Sequence, residues 1–388
     1  METPESAERT QAFFQQRQAA AVLKHAILKR YLPPFAAKTG STSIDNRVAI
    51  VDGYAGAGRY DDGAPGSPAI IADLSHAPAL RSKTIEAYFV ESHRPTYARL
   101  MQNLQNDAPD LHWTAWQGEL ENHLPELIKL TQNVPLFLFL DPFGHGLAFD
   151  TIQDLFLERP TPNPYAPATE ALIRIDASAI WRTRGVARRP TGYYGREATL
   201  HRMDQTAGGT WWRDDDPGTP TADYLEWFAS ELLHHTCQEY RCWGWSVDVR
   251  QRPDRLPVYY LLFLTRHRDG MDTFGEVLSK SMEEWRRSVL EIEYQESLLA
   301  DDINDEYARR EEMLAAEWHD QLRENILALL DEKPSFQIRQ ELSRVMGNAA
   351  GLARSMHLRA VLKELYLEGI TQSDSKGDIY AKRVIRAV

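Results

Sequence analysis

Short apolar and β-branched runs recur along the first 270 positions of the chain, each closed by a polar or glycine-rich stretch. Such runs read as strands of a largely parallel sheet. Residues 48–51 form one, ending in Asp52, and residues 84–90 a second, ending in Glu91. Residues 111–117 form a third, ending before Gly118-Glu119. Residues 135–140 (P-L-F-L-F-L) are apolar on both faces, as a central strand must be, and end in Asp141-Pro142-Phe143-Gly144. Residues 170–176 read as a fifth strand. Residues 243–249 and 258–265, joined by a turn rich in Pro and Asp, read as a hairpin and therefore run antiparallel. Beyond them, residues 317–330, 335–346 and 354–367 carry helical apolar spacing, and 369–371 and 379–385 read as two short strands. Helices followed by a β-ribbon make a winged helix, a fold that reads DNA or binds protein.

The strand ending in Asp52 feeds directly into a glycine loop with Gly53, Gly56 and Gly58. Such a turn lets backbone approach a ligand closely. It is not the dinucleotide fingerprint, because Tyr60 and Asp61 stand where a third glycine is needed. D-G-Y-A-G-A-G resembles the first motif of class I S-adenosylmethionine (SAM) methyltransferases. The resemblance implies that Asp52, Gly53, Tyr54, Ala55, Gly56 and Gly58 hold the cofactor. Glu91, at the end of the next strand, can accept hydrogen bonds from ribose hydroxyls, or can serve as a helix-start carboxylate before Pro95. Glu119 stands where related enzymes grip adenine. Asp-Pro-Phe-Gly resembles the D-P-P-Y motif of amino-group methyltransferases, which implies Asp141, Pro142 and Phe143 as catalytic candidates. A carboxylate and a carbonyl there would aim the lone pair of the substrate amine at the methyl group, while an aromatic ring stacks on the base. Here the aromatic is third and Gly144 fourth; the alternative is a simple Asp-Pro turn.

Taken together, the pieces resemble the three-Cys-motif partner family, TcmP. The resemblance rests on Lys24-His25 with Tyr31-Leu32, D-G-Y-A-G-A-G-R-Y with G-S-P, F-V-E, L-D-P-F-G and Y-Y-L-L-F-L-T-R-H-R-D-G-M, and spans roughly residues 20–290. It implies a class I methyltransferase fold and a partner, the three-cysteine protein resembling radical-SAM enzymes. It also places Lys24 and His25 near the site.

Charge is distributed unevenly. Of the net charge of −12, residues 283–333 hold 16 acids and 6 bases, which reads as a solvated or partner-facing helical connector. Residues 181–213 instead carry seven Arg against Glu197 and Asp204, interleaved with aromatics. Arginine there can grip phosphate or carboxylate and Tyr can stack on a base, giving Arg182, Arg184, Arg188, Arg189, Tyr193 and Tyr194 as substrate-binding candidates. The other reading is a structured insertion packed on the core. His234, His235, Cys237 and Cys242 lie close together but lack zinc spacing, and no metal is expected. A polar, acidic N-terminus, two cysteines and no long apolar run suggest a cytoplasmic protein without a membrane span.

The sequence thus predicts an α/β class I methyltransferase-like (Rossmann-like) domain over residues 1–268 with an insertion at 178–242. An acidic helical connector follows at 269–316 and a winged-helix-like domain at 317–388. The expected activity is SAM-dependent methyl transfer to an exocyclic amine or similar nucleophile, with DNA or RNA the favoured substrate. The alternative is a non-catalytic partner or scaffold for the three-cysteine protein.

Overall fold

The computed structural model of the chain describes residues 4–142, 144, 146–159, 167–297 and 302–387. Two compact units are present: Leu28–Met271, and Met1–Ile27 together with Asp272–Val388. The opening 27 residues, read above with the first domain, therefore group with the C-terminal unit.

Helix α1 (Pro4–Gly40) opens the chain. Seven strands then build one sheet: β1 (Arg47–Asp52), β2 (Thr84–Glu91), β3 (His112–Gln117), β4 (Leu136–Leu140), β5 (Thr169–Asp176), β6 (Trp243–Val249) and β7 (Tyr259–Thr265). Their order is β3-β2-β1-β4-β5-β7-β6. The first five are parallel, and β7 is antiparallel to both β5 and β6. This is the α/β class I methyltransferase layout expected from the sequence. Burial follows position in the sheet. Central β4 and β7 are buried at every residue, whereas edge strand β3 exposes His112, Thr114 and Gln117.

Between the strands run α2 (Ser67–Ala72), α3 (Arg94–Asp107), α4 (Leu120–Thr131), α5 (Phe149–Leu157), α6 (Ala177–Ala187), α7 (Arg196–Ala207), α8 (Trp211–Asp214) and α9 (Thr221–Glu239). Leu124 and Leu127 of α4, Ile152 and Phe156 of α5, and Phe228 and Leu232 of α9 join the core that includes Leu138, Leu140 and Leu262. Tyr31 and Phe35 of α1 meet the rings of Phe137 and Phe263, with centroids 5.0–5.6 Å apart. At the start of β5 the fully buried carboxylate of Glu170 accepts hydrogen bonds from Tyr31 Oη (2.6 Å) and Thr265 Oγ1 (2.7 Å).

The strand order reverses between β1 and β4, since the chain first builds outward through β2 and β3 and then returns to the other side of β1. A crevice at the carboxyl ends of the strands forms at such a switch point, and it is where open α/β sheets bind ligands. The glycine loop follows β1 and Asp-Pro-Phe-Gly follows β4, so both flank that crevice.

In the other unit, α10 (Arg268–Ser297) and α11 (Ile303–Glu332) are long helices joined by ion pairs. Arg286 grips Glu311 at 2.5 and 2.7 Å, and Arg310 reaches both Glu306 and Glu293. Part of the acidic excess is thereby neutralised. Trp318, Leu322 and Ile326 of α11 share a core with residues of α12 (Leu342–Met346) and α13 (Ser355–Leu367). The expected helix over 335–346 is not formed as one element. Its first part is strand β8 (Ser335–Gln337), paired antiparallel with β9 (Arg383–Ile385). Pro334 biases the preceding residue to extended backbone, and Phe336 and Ile338 then alternate inward. The strand expected at 369–371 contributes only a bridge from Thr371 to Arg386.

Candidate functional site

Asp52 is completely buried, and its Oδ1 accepts the Tyr54 N–H at 3.2 Å. The Gly53 N–H donates to the Phe139 carbonyl (3.0 Å) and the Ala55 N–H to the Val90 carbonyl (2.9 Å), which ties the loop to β4 and β2. A Cβ at Gly53 would lie 2.7 Å from Leu120 and 2.8 Å from Leu140, so packing demands glycine there. Gly56 and Gly58 demand it for conformation, with φ of +61° and +83°. Around Gly56 a Cβ would meet nothing within 4 Å, so the loop presents bare backbone to open space. Asn103 of α3 closes the far side by donating to the Ala57 carbonyl at 2.6 Å.

Glu91 ends β2 and spans two turns. Its Oε2 accepts the Gly56 N–H at 2.9 Å and its Oε1 the His93 N–H at 2.7 Å. Each carboxylate oxygen has a second lone pair, so hydroxyls can still donate to it. The Glu91 carbonyl receives the Gly118 N–H at 3.1 Å, which brings the β3 end alongside. Glu119 is exposed at the start of α4. Tyr54 is half-buried, and its hydroxyl is held above the usual phenol range by burial and then by Glu121 and Glu119. Asp52, Gly53, Tyr54, Ala55, Gly56, Gly58, Glu91 and Glu119 thus border the carboxyl ends of β1, β2 and β3.

Asp141 leaves β4 and meets a residue that sequence reasoning passed over. Arg174 of β5 contacts Asp141 Oδ1 through Nη1 and Asp176 Oδ2 through Nη2, both at 3.3 Å. Its guanidinium lies 4.7 Å from the ring centre of Tyr259 on β7. Burial, with Asp141 close by, pushes the Tyr259 hydroxyl well above its ordinary pKa, so it stays protonated. All three charged side chains are about 13–15% exposed. The Asp141 carboxylate thus stands at the end of β4 beside the crevice, a group that can accept from a hydrogen-bond donor such as an amine. The signal in the sequence was a charge inside an otherwise apolar strand, E-A-L-I-R-I-D. Pro142 is buried, Gly144 turns the chain at φ +83°, and Phe143 lies outside the described residues.

The basic insertion splits into two groups. Arg182 lies along α6 and donates to Ser178, Arg189 sits 5.9 Å from the Tyr193 ring centre, and Tyr193 and Tyr194 are 53% and 99% exposed. These form an accessible basic-aromatic surface. Arg184, by contrast, is buried. It stacks 3.7 Å over the Tyr224 ring and grips Asp216, holding that carboxyl down at about 2, and Arg188 reaches Asp216 at 3.1 Å. Lys24 and His25 are half-buried on α1 in the other unit. Among the described residues no group of three or more His, Cys, Asp or Glu could hold a metal, and no helix is long and apolar enough to cross a membrane.

No protein-family model matches the chain, and no curated protein matches it. Among solved structures, it is similar to PH0793 of Pyrococcus horikoshii, assigned as a transferase (9% identity, TM-score 0.27, 62% of this chain and 63% of that one). It is also similar to the small RNA methyltransferase HEN1 (10%, 0.29, 60% and 25%) and to P. horikoshii TYW2 in complex with MeSAdo (9%, 0.23, 59% and 60%). Each match spans less than two thirds of the other protein's length. These likenesses are distant, and the fold assignment stands on the sheet topology itself.

Proposed function

We propose that the chain is a SAM-dependent methyltransferase acting on an exocyclic amine or similar nucleophile, with nucleic acid the favoured substrate. The observation that carries this reading is the convergence at one switch point of the bare Gly56 backbone, the Glu91 carboxylate and the Asp141–Arg174 pair. The residues present fit the cofactor: an open, left-handed glycine is a cradle that any Cβ would partly fill, and Glu91 can accept from ribose hydroxyls. SAM, when bound, supplies an electrophilic methyl group. The residues then have mainly to orient and shield. Asp141 accepts a hydrogen bond from the incoming amine and, as transfer proceeds, can take its proton. Arg174 positions the Asp141 carboxylate, and buried Pro142 limits its backbone motion. The exposed Arg182, Arg189, Tyr193 and Tyr194 surface offers cations and rings to a polynucleotide.

The Asp141–Arg174 ion pair also favours a second reading, because it occupies the carboxylate that catalysis needs. In that reading the fold is a scaffold for a three-cysteine-motif, radical-SAM-like protein, as its TcmP resemblance implies. Calorimetry with SAM, followed by transfer of labelled methyl to single- and double-stranded DNA and RNA, separates the two. SAM binding with transfer is the expected result. No SAM binding would sink the methyltransferase reading, and SAM binding without transfer while the partner protein binds would favour the scaffold.

A further inference from the structure

The insertion holds a half-open cavity of about 230 Å3. Four guanidinium groups line it, from Arg184, Arg188, Arg196 and Arg213, together with Trp212, Asp214 and Asp216. These come from α6, α7, α8 and the turns beside them. The arginines are set in place by fixed partners. Arg213 grips Asp204 through Nε and Nη2 (3.1 and 2.9 Å), and Arg184 grips Asp216 through the same two atoms. Arg196 donates to the Ala187 and Arg189 carbonyls and pairs through Nη1 with Glu197 at 2.7 Å. Trp212, fully buried, is fixed by its indole N–H on Asp204 at 2.9 Å.

This scaffolding leaves donors over. Among the described residues, Nη1 of Arg184, Nη1 of Arg213, and Nε and Nη1 of Arg188 have no hydrogen-bond partner. The lining carries four arginines and two carboxylates, and two more carboxylates, Asp204 and Glu197, pair with Arg213 and Arg196. The volume lies below the roughly 300–1,000 Å3 of a small-molecule site, so it suits a single anionic group rather than a whole nucleotide. Planar guanidinium forks match tetrahedral oxyanions, and the spare N–H groups can donate to the oxygens of a phosphomonoester.

We propose that this cavity binds a phosphate group. That the phosphate belongs to the methyl acceptor, as the terminal phosphate of an oligonucleotide, rests on the function proposed above; the anion site itself does not.

The test uses the full chain, titrated by calorimetry with inorganic phosphate and with a short oligonucleotide carrying or lacking a 5′-phosphate. Arg188, 54% exposed on its side chain, can be changed without opening the core. Inorganic phosphate should bind, and Arg188→Gln should weaken it about tenfold. Lys129→Gln, at an exposed position of α4, should leave it unchanged, and melting temperatures identify any variant that fails to fold. Absence of phosphate binding, or equal loss in the Lys129 variant, overturns the site. Phosphate binding with no preference for the 5′-phosphorylated oligonucleotide overturns its assignment to the acceptor. SAM titration of the same variants should be unaffected, so failure of the anion site and failure of the methyltransferase reading are distinguishable.

Discussion

Glu91 holds the Gly56 amide at 2.9 Å across 35 residues of sequence, so the acidic residue at the end of β2 fixes the shape of the loop that follows β1. Removing the carboxylate should therefore do two things, loosening the loop and deleting a ribose acceptor. Glu91→Ala is expected to weaken SAM binding by about 1.5–3 kcal/mol, the worth of a hydrogen bond to a charged group. Titration calorimetry measures this, and unchanged affinity would refute the cofactor assignment.

Gly56→Val should be harsher than Gly56→Ala. Both suffer the strain of φ +61°, but only the longer side chain fills the space in front of the loop. Comparing melting temperature with SAM affinity separates the shared strain from the added obstruction. Equal SAM affinity in the two variants would argue that no ligand sits there.

Asp141→Ala should abolish methyl transfer while largely sparing SAM affinity. Arg174→Met is expected to remove contacts that position Asp141 and Asp176, lowering the transfer rate while sparing SAM affinity. A transfer assay beside SAM calorimetry reads both. Near wild-type rates in Asp141→Ala would reduce Asp-Pro-Phe-Gly to a turn.

Burial raises Glu170 from its ordinary value near 4.5 to about 7. The folded state therefore binds the extra proton between those limits, and stability falls as pH rises through that window, then levels off above it. The shift corresponds to about 3 kcal/mol. Glu170→Gln should remove this slope and be the more stable protein at pH 8. Denaturant unfolding at pH 5 and pH 8 decides, and parallel slopes in both proteins would contradict it.

If the α6 surface holds nucleic acid, affinity must fall steeply with salt as counterions are released. Arg189→Gln should lower the slope of log K against log salt by about one unit. Gel shifts across a salt series test this. A chain that binds no DNA or RNA even at low salt would direct attention to a protein partner.

The seven strands were legible because each apolar run is short and sharply punctuated. Residues 84–90 with Glu91, for instance, coincide with β2. The glycine loop was legible for the same reason. Strand order was not, since it depends on which runs pair across tens of residues. Nor was the Asp141–Arg174–Tyr259 cluster, whose members come from three strands. Arg184 looked like its exposed neighbours, and only its distant partners Asp216 and Tyr224 show it to be interior. The stretch 335–346 misled because Ile338, Leu342, Val345 and Met346 fall at helical spacing while the segment begins as a strand.

Asp176 belongs to two structures at once. Its Oδ2 takes Arg174, and its Oδ1 caps the first turn of α6 by accepting from the Ala179 N–H and the Ser178 hydroxyl. The helix it caps is 11 residues long, a rod of about 16 Å, whose far end supplies Arg184 and Ala187 to the cavity wall. α6 is therefore one continuous element between the carboxyl edge of the sheet and the cavity wall, and the carboxylate that starts the helix also touches the arginine beside Asp141.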